Sequence, residues 1–100
     1  MNDQFKKGAL ELCVLAQLAQ GDKYGYELTA RISEQIGVAN GTLYLILRRL
    51  HAEDYVQTYL QESPSGPARK YYRLTSKGRA YLKDMKDEWQ TFVRKIDRLI

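Results

Sequence analysis

Residues 40–50, which read NGTLYLILRRL, most restrict what this 100-residue chain can fold into. Their apolar side chains follow the spacing of one helix face: Leu43, Ile46, Leu47 and Leu50. The opposite face is small or polar at first and doubly basic one turn later: Gly41, Thr42, Leu45, Arg48 and Arg49, with Tyr44 at the flank. This order suits a helix in a DNA major groove. An amphipathic helix with a solvated basic face fits the segment equally well.

Composition restricts the class of protein. One hundred residues make one compact domain, or a small domain with one extending element, and 44% hydrophobic content permits a core. Sixteen basic and twelve acidic residues give a net charge of +4, which is compatible with a nucleic-acid partner. The N-terminus lacks the pattern of a secretory signal, and the sequence has no apolar run of membrane-spanning length. We therefore expect a soluble, cytoplasmic protein.

The sequence offers little for catalysis. Cys13 is the single cysteine, which excludes an intramolecular disulfide and a zinc cluster of cysteines, and its apolar surroundings favour a buried structural thiol. His51 is the single histidine, so a nucleophile and base pair is not available from Cys13 and His51. There is neither a glycine-rich phosphate loop nor metal-ligand spacing. We expect a protein that is not an enzyme and needs no cofactor.

Two helices are predicted before residue 40. Residues 5–20 are apolar on nearly every side, as in a helix that is buried on more than one face. Residues 23–35 form the second helix, with Asp22 as its N-cap and Gly37 closing it. Leu28, Ile32 and Ile36 form its inward stripe, and Gly25 suggests a close approach by backbone or DNA. A short turn then leads to the basic helix, which is the helix-turn-helix plan.

A β-hairpin follows. Residues 55–61 and 69–74 have strand composition, and residues 62–68 between them contain both prolines of the chain. The basic residues of the second strand, Arg69, Lys70 and Arg73, suit phosphate or minor-groove contact. A lone basic hairpin is more often a solvated edge that discourages aggregation. Directly behind a helix-turn-helix, the DNA interpretation is favoured, and the hairpin is a wing.

The last helix carries a heptad seam. Thr75 is its expected N-cap, and the seam repeats at spacings of three and four: Leu82, Met85, Trp89, Phe92, Ile96 and Leu99, widened by Tyr81, Val93 and Ile100. This stripe is longer than a compact winged domain covers, so it predicts pairing with a second subunit by two-fold symmetry. The alternative is that the helix folds back onto its own core. For Trp89, the choice lies between burial at the dimer seam and stacking on a flat ligand in a slot lined by Met85 and Trp89.

Three sequence blocks together closely resemble the PadR family of bacterial transcriptional regulators. They are YGYE at residues 24–27, GTLY with RRL at residues 41–50, and GPARKYYRLT with KG at residues 66–78. The resemblance covers about residues 8–100 and, with a single C-terminal helix, is to the short branch of the family that includes multidrug-sensing repressors. It implies a homodimer through the first and last helices, and repression relieved by an aromatic or phenolic ligand or drug. Trp89 matches the tryptophan that stacks on flat ligands in that branch.

The chain departs from the family pattern at the DNA face. The family usually has proline where this chain has Leu45, and often a serine cap followed by glutamate where this chain has Ala39 and Asn40. Asn40 either takes over the cap or presents its amide to a base. These differences concern the operator sequence and leave the fold unaffected.

The expected protein is therefore mainly α with a small β-hairpin: a winged helix-turn-helix domain at residues 1–75 and a dimerisation helix at residues 76–100. We expect a sequence-specific regulator on an inverted-repeat DNA operator; the alternative is a winged-helix protein-interaction module that dimerises without binding DNA. The candidate DNA contacts are Lys23, Tyr24, Asn40, Gly41, Thr42, Tyr44, Leu45, Arg48, Arg49, Arg69, Lys70 and Arg73. The candidate dimer contacts are Leu82, Met85, Trp89, Phe92, Val93, Ile96 and Leu99.

Overall fold

The computed structural model describes residues 3–100, with side chains described from Lys7 onward, and contains four helices and a three-stranded sheet in that range. The elements are α1 (Asp3–Ala19), β1 (Lys23–Tyr24), α2 (Gly25–Ile36), α3 (Asn40–Ala52), β2 (Val56–Ser63), β3 (Gly66–Leu74) and α4 (Ser76–Asp97). The antiparallel sheet has the strand order β1-β3-β2. This arrangement confirms the predicted fold class.

The core forms around α1, which packs against α2, α3, β3 and α4. Val14, Leu15 and Leu18 of α1 are almost completely buried. All four predicted core residues of α3 are buried with them: Leu43, Ile46, Leu47 and Leu50. Since burying one such side chain contributes about 1.5–3 kcal/mol, this cluster holds the helix-turn-helix together. Cys13 is half-buried beside it, and that burial raises the pKa of its thiol.

The start of α2 differs from the prediction. Lys23 and Tyr24 are not helical but form β1, which pairs with Tyr72 and Tyr71 of β3. Asp22 is consequently not the N-cap: Tyr24 holds that position without a side-chain capping bond. Gly25 begins the helix, and a Cβ there would lie 2.8 Å from Cε1 of Tyr72. The close approach expected at Gly25 comes from an aromatic ring of the sheet.

Gly37 ends α2, as predicted. Its φ of 77° is left-handed, and its N–H donates to the Ser33 carbonyl at 2.8 Å. The predicted inward position of Ile36 is wrong, because Ile36 is the last helical residue before this reversal and is 53% exposed. Of the two alternatives for Asn40, the cap is wrong: Ala39 is the N-cap, without a side-chain bond, and Asn40 is the first helical residue.

The hairpin is longer than its sequence suggested. β2 extends to Ser63 and β3 begins at Gly66, so the turn proper is only residues 64–65. Pro67 lies within β3, near the tip. The paired register from Val56 with Leu74 to Gln61 with Arg69 keeps the two strands together almost to that tip. The wing is therefore an extended arm with its basic residues along a regular ladder.

The junction between the sheet and α4 is a tight backbone contact. Thr75 caps α4, as predicted: its Oγ1 accepts from the Gly78 N–H at 2.9 Å. Thr75 also donates from its N–H and its hydroxyl to the Tyr55 carbonyl, at 3.1 and 3.0 Å. Gly78 is buried against the same carbonyl, and a Cβ there would lie well inside van der Waals contact with that oxygen and 2.8 Å from Cδ1 of Leu74.

Substitution Gly78→Ala should therefore destabilise the fold, because the added methyl group meets the Tyr55 carbonyl. This carbonyl belongs to the backbone and is hydrogen-bonded by Thr75, so it cannot shift as a flexible side chain can. We expect a loss of about 1–3 kcal/mol in the free energy of unfolding, measured by urea denaturation at a fixed protein concentration. The matched control is Gly41→Ala in α3, where an added Cβ meets nothing within 4 Å; it should gain up to about 1 kcal/mol. Equal effects of the two substitutions would contradict this account of Gly78.

Candidate nucleic-acid interface

The outer face of α3 is open to solvent along its length. Leu45 is 64% exposed and Tyr44 41%, and Gly41, Thr42 and Arg48 are also exposed. The small residues at the beginning of the helix leave its backbone accessible from outside. A helix whose outer face is exposed and begins with small side chains can enter the DNA major groove, which is about 12 Å wide.

A polar cleft of about 220 Å³ separates α3 from the wing. Tyr44, Arg48 and His51 line it from α3, and Thr58, Lys70 and Tyr72 line it from the sheet. The Nζ of Lys70 lies 5.8 Å from the centroid of the Tyr72 ring, inside the cleft wall. Tyr72 is buried, which raises the pKa of its phenol, and the nearby Tyr44 raises it further. Two cations from separate elements thus border one groove beside α3, an arrangement that favours a phosphate group.

Arg49 has a different environment from Arg48. Its guanidinium forms an ion pair with the buried Glu11 carboxylate of α1 and a second pair with Glu53, where Nη1 lies 3.3 Å from Oε2. Its Nε is buried and has no hydrogen-bond partner in the part of the chain that the structure describes. The expected role of Arg49 as a base or phosphate contact is thus not supported by its geometry: its charge is neutralised within the protein.

The opposite face of the sheet carries a row of three tyrosines, one from each strand; Tyr59 and Tyr71 are stacked, and the Tyr24 ring is tilted by 32° against Tyr71. Tyr24, Tyr71 and Tyr59 lie side by side, with ring centroids 6.0 and 5.6 Å apart. Arg69 lies over the Tyr24 ring at 5.0 Å, and Arg73 over the Tyr59 ring at 4.9 Å. Because successive strand residues point to opposite faces, Lys70 is separated from Arg69. The basic residues of the wing therefore serve two different surfaces.

Asp22 binds two residues of this second surface, Tyr59 and Arg73. Its Oδ2 accepts from the Tyr59 hydroxyl at 2.7 Å and from Nε of Arg73 at 3.2 Å. The hydrogen bond to Asp22 is the main reason that the pKa of Tyr59 lies above its ordinary value. Arg73, although exposed, is partly neutralised by Asp22 and is a weaker phosphate candidate than Lys70.

A second, more apolar cleft of about 420 Å³ lies between α1 and α4. Its lining is Gly8, Ala9 and Leu12 from α1, and Met85, Glu88, Trp89 and Phe92 from α4. Along α4, Leu82 and Met85 pack against the chain's own core, Trp89, Val93 and Ile96 are half-buried, and Phe92 is 51% exposed. Leu99 lies beyond α4 and is 88% exposed. The first part of the seam is thus used internally, as the alternative expectation held, and the rest is half-buried or exposed.

The structure brings together some of the residues that were predicted to contact DNA. Tyr44, Arg48 and Lys70 share the cleft between α3 and the wing, while Tyr24, Arg69 and Arg73 lie on the other face of the sheet. Sequence reasoning missed Glu11, which binds Arg49, and it assigned Asp22 to a helix cap, whereas Asp22 binds Arg73. The sequence did contain a signal for Glu11, because it is a carboxylate within the apolar run of α1. Among residues 3–100, no group of three or more histidine, cysteine or acidic side chains could hold a metal.

Comparison with known proteins identifies the family. Residues 14–84, most of the chain, match the Transcriptional regulator PadR-like family. The chain belongs to this family. A transcriptional regulator of Mycobacterium tuberculosis is 32% identical over 94 residues, covering 93% of this chain and 87% of that protein. The PadR prediction from the three sequence blocks is confirmed.

Solved structures agree with this assignment. A PadR-like transcriptional regulator from Bacillus cereus superposes with a TM-score of 0.86 at 34% identity, covering 97% of this chain and 96% of that one. A Streptococcus transcriptional regulator gives a TM-score of 0.88 at 31% identity, with 98% of both chains covered. These relatives and the PadR-like family itself are regulators, which confirms the prediction that the chain is not an enzyme. Of the helices within residues 3–100, none has the length and apolar character to cross a membrane.

Removal of the Asp22 carboxylate should lower the pKa of Tyr59. The fold favours the protonated phenol, so the hydrogen bond stabilises the folded chain fully below pH about 10 and is lost as the pH rises through the raised pKa. In Asp22→Ala, we expect the pKa of Tyr59 to move down toward its ordinary value, measured by NMR titration of labelled tyrosine rings. Glu27→Ala, which removes an exposed carboxylate of α2, should leave it unchanged. An unaltered pKa in Asp22→Ala would show that Asp22 does not bind Tyr59 in solution.

Proposed function

We propose that this PadR-family regulator is a homodimeric repressor that binds an inverted-repeat operator and is released by a small aromatic effector. The observation that carries the DNA part is the exposed face of α3 beside a cleft that Arg48 and Lys70 border together. In this proposal α3 enters the major groove and the wing lies against the adjacent backbone.

The residues divide by their position on that surface. The base-edge candidates lie at the beginning of α3, where side chains are short or exposed: Asn40, Gly41, Thr42, Tyr44 and Leu45. Arg48 and Lys70 reach bases or phosphates from the α3-wing cleft. Lys23, Tyr24, Arg69 and Arg73 are positioning contacts to phosphates at the sheet, where contacts fix register rather than read sequence. Arg49 is left out, because Glu11 and Glu53 already bind it.

The open part of α4 supports the homodimer. Phe92 of α4 and Leu99 just beyond it are exposed, while Trp89, Val93 and Ile96 are only partly covered by the chain itself. Exposed apolar stripes of this kind mark association surfaces, and a two-fold axis pairs each stripe with its own copy. Residues 76–100 then act as the dimerisation helix and residues 1–75 as the DNA-binding domain.

The α1–α4 cleft supports the effector. Trp89 and Phe92 give it aromatic walls, and Met85 and Leu12 give it adaptable apolar ones. A flat aromatic molecule gains from offset stacking and from area burial there. Binding that parts α1 from α4 changes the angle between the two winged domains, so that the recognition helices no longer match two half-sites one helical turn apart. Such release requires that the effector bind the two dimer states with different affinity.

To test DNA binding, the protein is first used to select duplexes from a pool of random sequences. Its affinity for the enriched duplex is then measured. We expect two chains per inverted repeat, a preference over scrambled DNA, and affinity that falls steeply with salt because counterions are released. Arg48→Ala should cost about 1–3 kcal/mol, or about five- to 150-fold in Kd, in fluorescence anisotropy. The matched control is Arg79→Ala, an exposed arginine of α4, which should bind as wild type does. A dimer that enriches no duplex would favour the protein-interaction module instead.

Effector binding is tested with N-phenyl-1-naphthylamine, a neutral flat aromatic probe. We expect it to quench Trp89 fluorescence, to bind Trp89→Leu about tenfold more weakly because stacking is lost, and to weaken DNA binding of the wild type. Tyr26→Leu removes an exposed aromatic residue of α2 and should leave probe affinity unchanged. Equal affinity for wild type and Trp89→Leu would contradict the placement of the effector site, and unchanged DNA affinity at saturation would contradict release.

A further inference from the structure

Glu11 is a carboxylate in a place where α1 is otherwise apolar. Its side chain is only 5% exposed, between Leu10, which is buried, and Leu12, which lines the α1–α4 cleft. A buried carboxylate is costly unless it is paired and hydrogen-bonded. The burial of the Glu11 carboxylate therefore depends on the groups that form hydrogen bonds and ion pairs with it.

Those groups come from two other helices. One carboxylate oxygen of Glu11 forms the ion pair with Nη2 of Arg49 on α3. The other oxygen accepts from the Tyr81 hydroxyl of α4 at 3.2 Å. Since α1 packs against both α3 and α4, one side chain of the central helix joins the recognition helix to the C-terminal helix.

The two ends of this network lie at functional surfaces. Tyr81 is one turn before Met85, and Glu11 directly precedes Leu12; both Met85 and Leu12 line the α1–α4 cleft. At the other end, Arg49 directly follows Arg48, which borders the cleft between α3 and the wing. The Tyr81–Glu11 hydrogen bond therefore lies beside the α1–α4 cleft, and the ion pair of the same carboxylate with Arg49 continues to α3.

We propose that Glu11 is a positioning residue that couples the α1–α4 cleft to the recognition helix, through Tyr81 on one side and Arg49 on the other. This inference rests on the proposed function, because it states how the cleft and the DNA face communicate. With the network intact, α3 has one orientation relative to α1. When α4 moves away, Glu11 loses a hydrogen bond, and its ion pair with Arg49 rearranges. Coupling between binding sites is reciprocal, so DNA bound at α3 must also change the surroundings of the cleft.

A mild variant exists for the test. Tyr81 stacks on Tyr55, which follows α3, with centroids 4.2 Å apart and ring planes 10° apart. Tyr81→Phe removes the hydroxyl that Glu11 accepts from and keeps that stack, so the fold is retained. Glu11→Gln removes the charge of the buried carboxylate and leaves Arg49 with only Glu53. Glu53→Gln is the matched control, the same change on the exposed partner of the same arginine, 3.3 Å from it.

Trp89 reports on the coupling, since it is the single tryptophan of the chain and lines the cleft. We expect the enriched duplex to change Trp89 emission in the wild type and in Glu53→Gln. In Tyr81→Phe, DNA affinity should stay within about threefold of wild type, while the DNA-induced emission change falls to less than half; Glu11→Gln should lose it entirely. A full emission change in Tyr81→Phe and Glu11→Gln overturns the proposal, and so does a wild type that binds DNA without any change in Trp89.

A second measurement needs no DNA. Amide hydrogen exchange over residues 43–49 should be at least about fivefold faster in Tyr81→Phe than in wild type, and within about twofold of wild type in Glu53→Gln. Unchanged exchange in Tyr81→Phe overturns the coupling. If the wild type enriches no duplex, the proposed function fails, and this exchange experiment alone decides whether Glu11 links α4 to α3.

Discussion

The packing of α1 against the rest of the chain is the interaction on which this structure depends. In 100 residues the buried fraction is limited, so one helix must supply apolar surface to α2, α3, β3 and α4 together. Val14 and Leu15 are completely buried as a result. The same arrangement explains why Glu11 is consequential: a polar group on the central helix is buried wherever it points inward, and it must be paired by the helices around it.

Features that depend on local spacing were predictable from the sequence. The four apolar positions of α3 are all buried, because a periodicity of 3.6 residues selects one face whatever the partner is. Gly37 and Thr75 end and begin helices for equally local reasons, a left-handed φ and a hydroxyl within reach of a free N–H. The family resemblance rested on motifs of the same local kind.

Features that depend on distant pairing were not predictable in this way. Lys23 and Tyr24 follow a turn and precede a helical pattern, and only pairing with β3, about fifty residues later, makes them a strand. Asp22 is of a residue type that is common at N-caps, yet Tyr59 and Arg73 bind its carboxylate across the sheet. Arg48 and Arg49 are indistinguishable in composition, and only the position of Glu11 separates an exposed cation from a neutralised one. Charge count alone therefore overstates the charge available to DNA.

The half-covered face of α4 links the two remaining parts of the proposed function. Trp89 is partly covered by α1, and Phe92 beside it is 51% exposed, so a single chain supplies only one side of the cleft that we propose for the effector. In the proposed homodimer, a second copy packed on the open part of α4 would close that cleft from the other side. Effector affinity and dimerisation must then be thermodynamically linked, because a ligand that binds only the closed cleft stabilises the dimer by mass action. An effector that releases DNA in this way acts by changing the geometry of the dimer and not by dissociating it.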